Sequence, residues 1–315
     1  MSLLAVIALG GNALLRDGQL GTIDEQEQNT YDTLENIVFL IRKGYNIVIT
    51  HGNGPQVGNI LMQTDAGEQL YGIPQMPVDI CVADSQGGVG YMIERMLRNV
   101  LKKHHISREV VTLITLTLVD PADPAFQNPT KRVGKKYTQE EAEKLEAVKG
   151  WKFKPEIKGN GGFRRVVPSP KPIRIMNHHV AETMARQGTI VIAAGGGGIP
   201  VFIDEDHNVR PAEVVVDKDL ASARLASQIK ADELFILTDV PFVYLDYKAP
   251  GEKPLETLSI KEAQQYLSEN KFGEGSMAPK VEAAIQFLGN GGKKCIITEA
   301  DKLSDKSFGT KIVKL

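Results

Sequence analysis

Three short apolar runs, each breaking into glycine, constrain this chain more than any other feature. Val6-Ile7-Ala8-Leu9 runs into Gly10-Gly11-Asn12. Ile47-Val48-Ile49 passes through Thr50-His51 into Gly52, Gly54 and Gly58, with Pro55 in position to open a helix. Ile190 to Ala193 runs into Gly195, Gly196, Gly197 and Gly198. Runs this short and this rich in β-branched residues read as strands buried on both faces. Glycine after a strand leaves backbone N–H groups bare, so the loop can close round an anion at a helix N-terminus. In an open α/β sheet ligands sit beyond the carboxyl ends of the strands. Three such ends predict one crevice lined by amides and suited to phosphate.

The chain between these runs alternates helix and strand. Asp24 to Arg42 places Tyr31, Leu34, Ile37, Val38 and Ile41 on one helical face, with Gly44 as a stop. Asn59 to Gln69 and Asp79 to Lys103 read as helices. Gly87, Gly88 and Gly90 in the second are explained by close packing of a neighbouring element or subunit. Val110 to Leu118 reads as one strand. Val201–Ile203 and Val214–Val216 suggest a hairpin, followed by a helix over Leu220–Gln228 and a buried strand over Leu234–Leu237. Thr138 with Glu141, and Ser259 with Glu262, match capping boxes. Pro279 sits near the first position of a further helix, and Lys294–Thr298 and Thr310–Val313 read as the last strands. This alternation predicts a mainly parallel sheet covered on both faces. From Val119 to Pro172 the composition changes to prolines, basic residues and the only tryptophan, Trp151. That segment reads as a protruding insertion, a possible lid, with Trp151–Phe153 and Phe163–Val167 forming a small sheet.

Composition narrows the partners. The chain has 315 residues, a formal charge of −2 and a hydrophobic fraction of 42%, which argues against a nucleic-acid or membrane-surface partner. Its two cysteines, Cys81 and Cys295, lie far apart and fit reduced thiols better than a disulfide framework. Without an apolar run of ~18 residues or a cleavable leader, a cytoplasmic protein is expected. His51, His178 and His179 read as structural or capping residues, since a helix starting at Asn177 puts the adjacent pair on different faces; no metal site is expected.

Spacing separates the phosphate-handling chemistries. The sequence contains no G-x-x-x-x-G-K-[ST] and no protein-kinase signature set. The dinucleotide fingerprint fails because Gly58 comes one residue too late after Gly52 and Gly54. Phosphoryl transfer remains, and it needs cations round the moving group. Lys131, Lys218 and Lys280 are the candidates. Lys218 and Lys280 stand at expected helix starts, where a cation opposes the dipole unless an anion intervenes. Phosphate would supply that anion, and Asp217 and Asp219 flank Lys218 as possible partners of its ammonium.

The strings ALGGNALL (Ala8–Leu15), THGNGPQVGN (Thr50–Asn59), NPTK (Asn128–Lys131), AAGGGGIPV (Ala193–Val201), VDKDLASARLA (Val216–Ala226), LTDV (Leu237–Val240) and GSMAPKVEAA (Gly275–Ala284) resemble the amino acid kinase superfamily, in particular its carbamate kinase branch. The resemblance covers essentially the whole chain. It implies one domain over residues 1–315, a three-layer α/β/α sandwich round an open, mainly parallel sheet, with residues 119–172 as a small protruding subdomain. The N-terminal half would bind carbamate and form a homodimer, and the C-terminal half would bind ATP. The implied reaction is ATP + carbamate = ADP + carbamoyl phosphate, with Mg²⁺ carried by the nucleotide phosphates, in arginine or agmatine catabolism. It further implies that Lys131, Lys218 and Lys280 act on the phosphoryl group and that Asp219 orients the lysines. Gly10, Gly11, Asn12, Gly52, Asn53 and Gly54 would hold substrate. Gly196, Gly197, Thr238, Asp239, Tyr244 and Met277 would lie against the nucleotide. Two alternatives stay open: another acyl-phosphate-forming kinase, for acetylglutamate, glutamate or aspartate, and a non-catalytic nucleotide-binding protein on the same fold. Arg164 and Arg165 are conceivable contacts for a second carboxylate.

Overall fold

The structure is a computed structural model that describes every residue except 1, 17, 54, 55, 157–160, 274–276, 306 and 315. Gly54, Pro55, Gly275 and Ser276, singled out above, therefore lie outside the described residues. The first half runs β1 (Leu4–Leu9), α1 (Ile23–Arg42), β2 (Asn46–His51), α2 (Gln56–Tyr71), α3 (Val78–Lys103), β3 (Val110–Thr112) and β4 (Leu116–Val119). Then come β5 (Lys131–Tyr137), α4 (Gln139–Lys149), β6 (Lys152–Pro155), β7 (Phe163–Val167), β8 (Pro172–Ile175), α5 (His178–Arg186) and β9 (Ile190–Ile192). The chain continues with β10 (Ile199–Ile203), β11 (Val209–Pro211), α6 (Lys218–Gln228), β12 (Glu233–Thr238), β13 (Val243–Leu245) and β14 (Lys253–Leu255). It ends with β15 (Thr257–Ser259), α7 (Ile260–Ser268), α8 (Ala278–Gly289), β16 (Lys294–Glu299) and β17 (Thr310–Val313).

The central sheet has the order β15-β17-β16-β12-β1-β2-β9-β3 and is parallel except where β16 meets β17. Successive residues of a strand face opposite sides of a sheet, and β1 shows both sides in use. Leu4, Val6 and Ala8 join a core with α5, α6, α7 and α8, while Ala5, Ile7 and Leu9 join another with α1 and α3. All six are fully buried, which explains an apolar run without alternation. The expected three-layer sandwich on an open parallel sheet is what forms.

Between β4 and β8, which pair with each other, the chain builds a separate antiparallel sheet of order β5-β7-β6. Trp151 packs on Phe153, with ring centroids 6.5 Å apart. Both capping boxes are present, at Thr138–Glu141 and Ser259–Glu262.

Three expectations need correction, and a fourth is met in part. Val110–Leu118 is two strands in different sheets, because the buried Thr115 turns its N–H to the side chain of Gln86 (2.6 Å) rather than to a ladder. The hairpin partner of β10 is β11 rather than Val214–Val216, and β4 lies on its other edge. The last bond of that ladder runs from the Ala212 N–H to the Pro200 carbonyl at 3.1 Å, and the three valines run buried beneath the glycine-rich loop towards α6. The close packing expected of the α3 glycines is seen within the chain at Gly90, where a Cβ would lie 2.4 Å from Thr112 Cγ2, while Gly87 and Gly88 meet nothing closer than 3.9 Å. Finally, the rings of His178 and His179 stand 4.0 Å apart instead of diverging, while His178 Nδ1 bonds the carbonyl of Ile175 at 2.8 Å.

Candidate active site

β1, β2, β9 and β12 end on one edge of the sheet, and the glycine-rich loops begin there. Gly10 lies against the end of β12, where a Cβ would sit 2.5 Å from the carbonyl oxygen of Leu237. Gly11 meets nothing within 4 Å, and it and Asn12 are exposed, so their outer side is open to a ligand.

The run Gly195–Gly198 is gripped by the chain itself. A Cβ on each in turn would strike His51 Nε2, Asn53 Oδ1, the carbonyl oxygen of Val216 and Thr117 Oγ1. Gly196 also has φ +66°, a region other residues enter at a cost. Gly196 and Gly197 are buried, and Gly196 accepts from Asn53 Nδ2 at 3.2 Å through its carbonyl. Ser85 donates to Asn53 Oδ1 (3.2 Å), and Gln86 donates to the carbonyl of Gly195 (2.8 Å). Two loops far apart in sequence are thus bound to each other and to α3. Gly52 is half-buried at the start of this junction, its carbonyl accepting from His51 Nδ1 at 2.8 Å. Burial pushes the His51 imidazole down to about 4, against the Gly52 hydrogen bond and with help from the Lys218 charge, so the ring is neutral at ordinary pH.

The lysines meet at the start of α6. Asp219 receives Lys218 Nζ on one oxygen at 2.6 Å and Lys280 Nζ on the other at 2.9 Å. All three side chains are buried or nearly so. Burial would raise the Asp219 carboxyl, but the two ammonium groups outweigh it and hold the group at about 2. Burial also presses the Lys218 ammonium below its usual range, against the attraction of Asp219. Among the described residues, the anion paired with Lys218 at its helix start is Asp219. Asp217, the other flanking carboxylate, is engaged elsewhere. It caps α6, accepting from the N–H groups of Asp219 and Leu220, and takes Lys131 Nζ at 3.2 Å. Ser222 ties this helix start to β2, with its Oγ 2.6 Å from Thr50 Oγ1 and 2.6 Å from the Lys218 carbonyl.

Thr238, Asp239, Tyr244 and Met277 come together round one cavity of about 100 Å³, with Tyr247 completing its aromatic wall. The rings of Tyr244 and Tyr247 are 5.6 Å apart. Gly10, Asn12, Thr238 and Asp239 border a second cavity of about 390 Å³. A third, of about 200 Å³, opens between Asn53 and Lys131 and includes Arg164. Arg165 faces elsewhere, stacked 4.0 Å over Trp151 and paired with Glu213. Ser85, Gln86, Thr115, Ser222 and Tyr247 were not among the residues expected here. Only Tyr247 had a sequence signal, lying three residues after Tyr244.

The amino acid kinase family model matches residues 4–299. The carbamate kinase of Pyrococcus horikoshii is 51% identical over 300 residues, covering 94% of each chain. The carbamate kinase of Thermococcus kodakarensis is 46% identical over 98% of each. The chain belongs to the amino acid kinase family, in its carbamate kinase branch. A solved carbamate kinase from Giardia lamblia bound to AMP-PNP superposes with a TM-score of 0.92 at 39% identity, covering 100% of this chain and 99% of that one. An aspartate kinase from Synechocystis, 16% identical with a TM-score of 0.57 over 100% of this chain and 40% of that one, shares the fold alone. As a carbamate kinase the chain is a phosphotransferase, and its lysine–aspartate cluster is where that chemistry is to be sought.

Proposed function

We propose that this chain moves the γ-phosphoryl group of ATP reversibly to carbamate, with Lys218, Lys280 and Lys131 as the cations that make the transfer possible. The observation that carries the reading is the convergence of Lys218 and Lys280 on the two oxygens of Asp219, with Lys131 held by Asp217 two residues earlier. Two carboxylates against three ammonium groups leave one positive charge in excess, before a phosphate arrives. Carbamate's oxygen is already anionic and needs no strong base. The barrier is repulsion between that oxygen and the γ-phosphate, which fixed cations and backbone amides lower. In this reading Gly10, Gly11, Asn12, Gly52, Asn53 and Gly54 hold carbamate and the acyl phosphate. Gly196 and Gly197 stand on the nucleotide side, the base lies among Thr238, Asp239, Tyr244 and Met277, and residues 119–172 form a subdomain that delivers Lys131. The N-terminal half then serves carbamate and the C-terminal half serves ATP.

Mg²⁺ would travel with the nucleotide phosphates. The physiological role proposed is ATP formation from carbamoyl phosphate in arginine or agmatine breakdown in the cytoplasm. A homodimer through the N-terminal half is supported by apolar side chains left exposed at the α2–α3 corner, Leu70, Tyr71, Ile73 and Ile80; sedimentation velocity tests it.

The first experiment is ATP formation from ADP, Mg²⁺ and carbamoyl phosphate, read through hexokinase, with acetyl phosphate and acetylglutamyl phosphate beside it. Preference for carbamoyl phosphate is the expected result. Arg164 and Arg132, which line a cavity with Asn53 and Lys131, would suit a second carboxylate, and preference for acetylglutamyl phosphate would transfer the assignment there. ADP binding without turnover of any donor would favour a non-catalytic role.

A further inference from the structure

Lys131 is the exposed member of the lysine set, with 40% of its side chain open to solvent, and it begins β5 in the separate three-stranded sheet. A long exposed side chain samples many rotamers unless something fixes it. Its described partner is Asp217, and that residue has two tasks. One oxygen, Oδ1, caps α6 through the N–H groups of Asp219 (2.9 Å) and Leu220 (3.3 Å). The other, Oδ2, accepts from Lys131 Nζ. The backbone beside it repeats the connection. Lys131 stands opposite Val167 in the β5–β7 ladder, and the next residue, Pro168, accepts from the N–H of Val215 at 3.0 Å. Both chain ends at the base of the three-stranded sheet therefore dock on residues 215–217. That segment leads directly into Lys218 and Asp219.

We infer that Asp217 is a positioning residue that sets Lys131 in register with the Lys218–Lys280 pair, so that the start of α6 aligns all three cations. The inference rests on the phosphoryl-transfer reading above. It separates Asp217 from Asp219: one carboxylate holds the buried pair together, and the other fixes where the sheet-borne lysine stands relative to that pair.

The test is Asp217→Asn, alone and in a Lys131→Met background. Asparagine caps a helix as well as aspartate does, so the fold and α6 are retained while the charge facing Lys131 is lost. The expected result is a fall in kcat/KM for carbamoyl phosphate on the order of tenfold to a hundredfold, with KM for ADP unchanged. In the Lys131→Met background the same substitution should change kcat/KM by less than about twofold, as expected for residues that act as a unit. Amide hydrogen exchange over residues 131–137 should speed up in Asp217→Asn and Lys131→Met alike. An effect that persists undiminished without Lys131, or a single variant with unaltered kcat/KM, overturns the inference. Wild-type protein that forms no ATP would fail the functional reading instead; the exchange experiment then still decides whether Asp217 holds Lys131, and unchanged exchange in both variants would reject it.

Discussion

The two ways this molecule holds a lysine could hardly differ more. Lys218 and Lys280 project from the first turns of two helices and meet on a carboxylate that is 4% exposed. Lys131 reaches in from a small sheet with much of its stem in water and meets a carboxylate that is 16% exposed. A buried charge must be paired, because an uncompensated one is costly, whereas a half-exposed pair is screened and contributes little. The pair at Asp219 is accordingly part of the fold as well as of the site. In the proposed reading, the more exposed Lys131–Asp217 contact is the one that a competing phosphate could remake.

The largest effects should fall on the buried side of this comparison. Asp219→Asn leaves two ammonium groups facing each other without a counter-charge. Turnover should drop by on the order of 10³ or more, and stability by about 3–5 kcal/mol, measured by kcat and by urea unfolding. Lys218→Ala and Lys280→Ala should each lose comparable turnover yet unfold later than Asp219→Asn, since each removes one half of a like-charge repulsion along with the pairing. A folded Lys218→Ala enzyme with normal turnover would break the assignment. Lys131→Ala should cost less, on the order of 10–10² in kcat/KM; unchanged rates would show that the three-stranded sheet does not bring a group to the phosphoryl.

The same contrast marks what could be read in the residues beforehand. β1, β2, β9 and β12 are legible because full burial on both faces demands unbroken apolar runs, and the lysine motifs are legible because charge at a helix start is conspicuous. β11 was missed because a three-residue edge strand with every residue exposed carries no apolar pattern. Gln86 was missed for a different reason. Glutamine in a helix reads as surface, and its partners Thr115 and Gly195 lie 29 and 109 residues away. The glycine run was legible only in half. Its capacity for close approach was evident, yet at each of the four positions the side a Cβ would take belongs to His51, Asn53, Val216 or Thr117. That packing demands glycine independently of any ligand.

A smaller effect separates the buried region by pH. The native His51 ring takes its proton only at about 4, whereas an unfolded histidine does so near 6.5. Between those values the unfolded state binds more protons, so stability rises with pH across the window and falls on acidification. From pH 7 to pH 5 the loss should be about 2 kcal/mol, from 1.36 kcal/mol per pH unit below 6.5. Asp219 is silent in that range because its carboxyl titrates at about 2. Urea midpoints at the two pH values test this, and His51→Asn should flatten the difference. A slope that survives the substitution would place the acid sensitivity elsewhere.

The smallest effect bears on how the exposed lysine is held. Thr138 and Glu141 cap α4 reciprocally, with the Glu141 N–H donating to Thr138 Oγ1 at 3.2 Å and the Thr138 N–H donating to Glu141 Oε2 at 2.7 Å. Only Ala142 of that helix is buried, so α4 has little else to secure its first turn. Thr138→Ala should cost about 1 kcal/mol of local stability and speed amide exchange over residues 139–149. If Asp217 is what sets Lys131, turnover should not change, because the lysine's anchor lies on α6 and the loosened helix lies at the far end of β5. If turnover falls as it does in Lys131→Ala, the lysine is placed by the rigidity of the whole three-stranded sheet, and the two regions are less independent than their burial suggests.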